Sequence, residues 1–395
     1  MDPLELQASQ EKWIAQGCLT WSKHATSFVR GVFPTHLDEA HGPYVRAVSG
    51  SKYIDLLSGL GAISLGYRVT QIEKRVIDTL QKIGPLVSLA TPLEVQAAEM
   101  LLSEFLPTYD QVKYLKTGSE ACSAAIRIAR FATGRQWIYT TGYHGWHDSF
   151  ICQKPMSQGM PKDLFMEEFH SLEQLMRCAV GRSAAIIVEP VELEYSDRRI
   201  QQLRDLKAHC KKTGTLLIFD EIITGARVPN FTLSKTIEPD LVVLGKGIAN
   251  GYPLAAVVGK RKLMNKRYFV SSTYAGETLS LTAHIGTMKF IKNNPLRFLW
   301  ERAGDIKQQI TNITKNINLD LPGYPTRHRL TGPQAPLLMQ ELCASHLLIG
   351  ASWFLNYSHL EVEKLILSAF ADAVYSIDKG AKLRGQKPIE PFQRS

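Results

Sequence analysis

Between residues 215 and 260 the chain reads TLLIFDEIITGARVPNFTLSKTIEPDLVVLGKGIANGYPLAAVVGK, with apolar blocks at Leu216 to Phe219, Leu241 to Leu244 and Leu254 to Val258. Blocks this short, rich in Leu, Ile and Val and spaced by helix-sized or loop-sized intervals, predict buried strands of a parallel sheet. The first two stop abruptly in polar chemistry. Asp220 and Glu221 follow one, and Lys246, bracketed by Gly245 and Gly247, follows the other. Open α/β sheets bind ligands outside the carboxyl ends of their strands, so Asp220 and Lys246 are expected to face one cavity.

The same texture continues upstream. Residues 114–121, YLKTGSEA, lead from a short strand through a Gly118-Ser119 turn into a helix at 124–130. A turn of small residues opening a helix presents backbone N–H groups and the positive end of the helix dipole, which suits a phosphate, although Ser and Gly also serve as ordinary caps. Residues 137–141 form a strand ending in GYHGWHD, which carries Tyr143, and 184–188 form another ending at Glu189. A basic amphipathic helix at 200–212 then feeds the strand at Thr215. Alternation of strand, site residue and helix is the βαβ signature.

The flanks differ. Residues 1–30 alternate at helical spacing, 42–55 predict two short strands around a Gly50-Ser51 turn, and 58–66 is a glycine-rich loop. Helical periodicity covers 71–83 and 92–105. Beyond Gly259 a polar turn at 271–278 caps a helix reaching Ile291, and a helix at 301–317 is followed by a Pro- and Gly-containing link at 321–325. A mixed apolar stretch at 340–349, a turn at 356–359 and a terminal helix at 360–377 precede a basic tail expected to fray from Lys379.

Composition narrows the classes. With 395 residues the chain accommodates one large domain and a smaller one. Its six cysteines are scattered without a CxxC pair, which favours a reducing compartment, so a cytoplasmic location is expected. The N-terminus is acidic where a signal peptide is basic, and no apolar run is long enough to span a bilayer. The net charge of +9 is spread along the chain without a dense block, which fits a solvated basic surface and an anion site better than nucleic-acid or membrane binding.

A phosphate turn, an aromatic side chain, an acid and a glycine-flanked lysine are the parts that pyridoxal phosphate needs. A lysine amine forms an imine with an aldehyde, and an acid keeps a pyridine nitrogen protonated so that the ring accepts electrons. Other readings stand beside this one. A lysine after a strand is commonly a surface residue, and an Asp-Glu pair there is commonly a helix N-terminal acid. His144, His147 and Asp148 invite a metal, but their spacing gives no assured ligand face, and no metal is expected. Glu189, Glu192, Asp220 and Glu221 fit the acid and base of a glycosidase, a reading that leaves Lys246 and the phosphate turn idle.

Ordered motifs decide the resemblance. KTGSEACSAAIRIAR, YHGWHD, IIVEPV, FDEIITGAR and LGKGIANGYPLAAVVG closely resemble segments of the class III pyridoxal-phosphate aminotransferases of fold type I, over about 42–291. The resemblance implies a mostly parallel sheet wrapped by helices in a large domain at 56–299, and a smaller α+β domain from 1–55 and 300–395. It further implies that Lys246 forms the Schiff base and moves the proton, Asp220 pairs with the pyridine nitrogen, Ile222 packs under the ring and Tyr143 stacks over it. Gly118 and Ser119 would bind the phosphate, with Thr273 reaching the phosphate of a neighbouring subunit, so a homodimer with shared sites is implied. Glu189 matches a glutamate near the active site, Arg227 a structural arginine, and Arg30 a substrate-carboxylate arginine of the glutamate-1-semialdehyde aminomutase branch.

The departures bear on the branch. Ile223 stands where many class members have Gln, closer to the aminomutases, and the usual G-N-P is Gly276-Glu277-Thr278. With a short C-terminal part, this suggests an unusual amino acceptor. The expected activity is transfer of an amino group between a donor and a keto or aldehyde acceptor. The alternatives are an intramolecular 2,1-aminomutase and a catalytically silent binding subunit.

Overall fold

A computed structural model describes residues 2–151, 165–178 and 181–389; Cys152 lies outside them. The chain divides into two compact units, Thr70–Arg297, and Met1–Val69 with Phe298–Ser395.

The Thr70–Arg297 unit is built on a seven-stranded sheet. Its strands are β1 (Gln111–Leu115), β2 (Trp137–Thr141), β3 (Met166–Glu168), β4 (Ser183–Val188), β5 (Leu216–Asp220), β6 (Leu241–Leu244) and β7 (Ala255–Gly259). They lie in the order β1-β7-β6-β5-β4-β2-β3. From β3 across to β6 all neighbours are parallel. Strands β4, β6 and β7 are buried at every position, which is why they read as unbroken apolar blocks instead of alternating.

One expectation is corrected. The third block is a buried strand, but β7 runs antiparallel to both β6 and β1. The reason is the length of the connection: parallel neighbours need a crossover of about a dozen residues or more, usually a helix, and residues 245–254 hold only a turn.

Three helices matter for the site: α1 (Gly118–Thr133), α2 (Asp197–Thr213) and α3 (Thr278–Asn293). Helix α1 starts at a reciprocal cap, in which Thr117 Oγ1 accepts from Glu120 N and the Glu120 carboxylate accepts from Thr117 N. Its buried face, Ala121, Cys122, Ala124, Ala125 and Ile128, belongs to the same apolar core as Ile187 and Ile218 of the sheet.

In the other unit the predicted hairpin is present as Tyr44–Ala47 against Lys52–Asp55, extended by Leu37–His41 on one side and Leu347–Leu348 on the other. A second sheet joins Gly323–Tyr324, Arg327–Arg329 and Ser352–Phe354, so the expected link at 321–325 carries a short strand. Helices Leu296–Thr314, Ala335–Ala344 and Glu363–Asp378 enclose a core around Trp353, Leu342 and Phe370. Near the N-terminus the helix is confined to Pro3–Trp13 and gives way to short turns. The tail does not fray through its described part. Buried Gln340 accepts from Arg384 N at 2.6 Å and donates to Lys382 O at 3.0 Å, and Gln386 N donates to Arg30 O at 3.1 Å.

Candidate active site

Asp220 closes β5 and is 4% exposed. Its Oδ1 accepts from Ile222 N at 3.1 Å. Its Oδ2 meets two groups, His144 Nδ1 at 2.7 Å and the Cys122 thiol at 3.4 Å. The other nitrogen of His144, Nε2, lies 2.9 Å from Thr141 O. A carbonyl oxygen only accepts, so Nε2 carries a proton, and the short Nδ1 contact needs a second proton between imidazole and carboxyl. The buried histidine therefore works as a hydrogen-bonded brace on Asp220. Burial, followed by the adjacent Asp220 charge and hydrogen bond, pushes the Cys122 thiol well above its ordinary range, so it is a donor.

Cys122, His144 and Asp220 offer ligand atoms within 4.8 Å of one another. Their mutual hydrogen bonds account for that approach. His147 is engaged elsewhere, its Nδ1 2.9 Å from Ser123 Oγ.

Glu221, next to Asp220, has a different task. It is fully buried and accepts from Leu233 N at 2.8 Å, Ser234 N at 2.9 Å and Thr224 Oγ1 at 3.1 Å. Burial lifts its pKa to about 7, although these donors pull the other way. Its carboxyl organises the loop after β5, so a glycosidase reading that uses Glu221 as an acid loses that group.

Glycines bring the strand ends together. A Cβ on Gly118 would stand 2.6 Å from Ile222 Cδ1, and one on Gly245 would stand 3.3 Å from Ile222 Cγ2. Ile222 is thus wedged between the start of α1 and the residue before Lys246. Lys246 itself is half-buried, has a left-handed φ of 45°, and opens the turn Lys246–Ala249 beyond β6. Ser119 Oγ accepts from Trp146 N at 3.3 Å. At Gly145, with φ 104°, a Cβ would fall 2.4 Å from Ser119 Oγ. The loop after β2 therefore lies directly on the first turn of α1.

The remaining predicted residues are placed as follows. Tyr143, in the loop after β2, is 36% exposed, and Glu189, just past β4, is buried. A Cβ on Gly142 would lie 3.9 Å from Glu189 Oε1, so this carboxylate reaches the base of the Tyr143 loop. Arg227 is buried, in keeping with a structural part. Thr273 lies on an exposed turn. Arg30 belongs to the other unit, where its exposed guanidinium lies 3.9 Å from Glu11.

Residues that sequence reasoning missed are Cys122, the bracing part of His144, and the pair Lys116–Glu277. Glu277 caps α3 by accepting from Leu279 N and Ser280 N, and binds Lys116 Nζ at 2.8 Å. Burial raises its pKa, but Lys116 and Ser280 outweigh that and the net direction is down. The departure at Gly276-Glu277-Thr278 was the available signal, and Lys116 was its unread partner.

The donor set fits pyridoxal phosphate. It offers helix-start amides with the Ser119 hydroxyl for an anion, a braced carboxylate for a protonated ring nitrogen, and a lysine at the next strand end. Sheet, crossovers and site together define a fold type I pyridoxal-phosphate transferase. Within that class, the profile of the class III aminotransferases matches residues 27–157 and 151–319, and the chain belongs to that family, hence to the pyridoxal-phosphate-dependent aminotransferases. It is 32% identical over 287 residues to a 2'-deamino-2'-hydroxyneamine transaminase of Streptomyces kanamyceticus, covering 71% of this chain and 72% of the relative. It is 34% identical over 295 residues to a glutamate-1-semialdehyde 2,1-aminomutase 2 of Lachnoclostridium phytofermentans, covering 67% and 68%. Its fold superposes on the FumI protein of Sphingopyxis sp. MTA144, solved as the PLP internal aldimine form, with a TM-score of 0.88 over 98% of each chain at 22% identity.

Proposed function

We propose that this aminotransferase moves an amino group between two separate substrates, with Lys246 as the proton-moving base and Asp220 as the anchor of the cofactor's ring nitrogen. The observation that carries the reading is the bracing of Asp220: a buried carboxylate held by His144 and Cys122 at one strand end, with Lys246 at the adjacent one. When bound, pyridoxal phosphate supplies an electron sink for the substrate carbon. Gly118 and Ser119 would hold its phosphate at the start of α1, where the helix dipole favours an anion. Ile222 would give one face of the ring a fixed apolar surface, Tyr143 would cover the other, and Glu189 would steady the Tyr143 loop. Lys246, half-buried just beyond the end of β6, would hold the cofactor through its amine and would carry the proton taken from the substrate carbon. His144 and the Cys122 thiol hold the Asp220 carboxyl in place.

Replacing Lys246 by Ala tests this. The visible absorbance of the bound aldehyde form should vanish along with turnover, and full transamination by the variant would refute the reading. A half-reaction screen, bleaching the aldehyde form with a panel of amines, identifies the donor.

A second reading, a 2,1-aminomutase acting within one substrate, is favoured by Ile223 and by the name of the Lachnoclostridium relative. Turnover without an added keto or aldehyde acceptor separates the two. Capping and the Lys116 ion pair account for Glu277, so Glu277 says nothing about the acceptor. The homodimer reading is supported by exposed apolar side chains, among them Leu89 at 85%, Val95 at 69%, Phe269 at 79% and Tyr274 at 59%, and by the exposure of Thr273. Light scattering on the holoenzyme reads the mass directly. No helix among the described residues is long and apolar enough to cross a membrane, and the scattered cysteines support a cytoplasmic location.

A further inference from the structure

We propose that Cys122 is a positioning residue for Asp220: its thiol joins His144 in occupying Oδ2, so that Oδ1 is the oxygen offered to the cofactor's ring nitrogen. This rests on the assignment of Asp220 to that nitrogen. An ionised carboxylate has about four lone-pair sites. On Oδ2 they face His144 Nδ1 at 2.7 Å and Cys122 Sγ at 3.4 Å, and on Oδ1 one faces Ile222 N at 3.1 Å. Among the described residues, one site is left over, and it is on Oδ1.

The helix makes the arrangement stiff. Cys122 is fully buried in α1, three residues past Ser119 and so on the same side of the helix. The element that begins as the phosphate turn thereby also fixes the acid, and the two ends of the cofactor are set by one rigid body. The sequence position adds chemistry as well as geometry. An apolar residue at 122 would leave Oδ2 with His144 alone, concentrating negative charge on the carboxylate. The thiol spreads that charge, so Asp220 holds the ring proton less tightly than it otherwise would.

The test uses holoenzyme reconstituted with pyridoxal phosphate carrying 15N at the ring nitrogen, followed by NMR across pH. Cys122→Ala should raise the proton affinity of that nitrogen about twofold to tenfold, the span of one net hydrogen bond. Cys122→Ser, which keeps a donor, should return it toward wild type. The effect should appear in kcat with little change in KM for the amine. An alanine variant that binds cofactor and titrates like wild type overturns the proposal. A ring nitrogen unprotonated in wild type overturns the Asp220 assignment as well, which separates the two failures. A readout independent of the alanine variant's folding is the S–H infrared band of wild-type protein, isolated by difference against Cys122→Ser. A band at the hydrogen-bonded frequency supports the contact, and one at the free-thiol frequency refutes it.

Discussion

Gly145→Ala probes the contact on which the site's architecture depends, the seating of the loop after β2 on the first turn of α1. Gly145 has φ 104°, a conformation nearly reserved for glycine, and a side chain held there costs about 1–3 kcal/mol. The added Cβ also lands 2.4 Å from Ser119 Oγ and 2.8 Å from Ser119 Cα. The hydroxyl can rotate away, but the Cα belongs to a helix start locked by the Thr117–Glu120 cap, so the loop must yield. Overpacking of this kind costs about 1–3 kcal/mol, giving about 2–6 kcal/mol in all. Because the loop carries Tyr143 and the Trp146 N–H bonded to Ser119, the cost should fall on cofactor binding. At about 1.4 kcal/mol per tenfold, about 2 kcal/mol borne by the holoenzyme alone corresponds to more than a tenfold loss of pyridoxal phosphate affinity, and any share already present in the apoenzyme lowers its melting temperature instead. Titration of apoenzyme with the cofactor, followed by its absorbance, measures this, and melting of the apoenzyme shows how much of the cost is strain in the chain itself. A variant with wild-type affinity and wild-type melting would refute the seating.

What the sequence could and could not reveal follows from the range of each interaction. Asp220 and Lys246 were legible because each ends an apolar block, and Gly118-Ser119 because small residues open a helix; all are local patterns. The direction of β7 was within reach of the length of the link at 245–254, but the apolar block alone carries no direction. Contacts between distant positions leave no such trace. Cys122 and Asp220 are 98 residues apart, and Lys116 and Glu277 are 161 apart. Gln340 reads as one polar residue in an apolar stretch, yet it anchors the tail through the backbone of residues 382–385.

Glu221 predicts a pH dependence of stability. Its carboxyl, ordinarily near 4.5, is lifted by burial to about 7 in the folded chain, so the folded state retains its proton longer. The stabilisation is complete below about pH 4.5 and is lost as pH rises through 7, by about 3 kcal/mol at 1.36 kcal/mol per pH unit. Denaturant midpoints should fall over that window in wild type and flatten in Glu221→Gln; parallel curves would show that Glu221 does not titrate there. The ion pair between Lys116 and Glu277 makes the sharpest demand, because its side chains are only 13% and 15% exposed. Glu277→Ala removes the α3 cap, worth about 0.5–2 kcal/mol, and strands the lysine. Glu277→Asn keeps a capping oxygen but still strands it, so its loss of melting temperature isolates the unpaired charge. Adding Lys116→Asn to that variant should recover stability, with a positive coupling in the double-mutant cycle. Additive effects would mean that the two groups do not depend on each other, and that the exchange of Asn for Glu at 277 has no connection to Lys116.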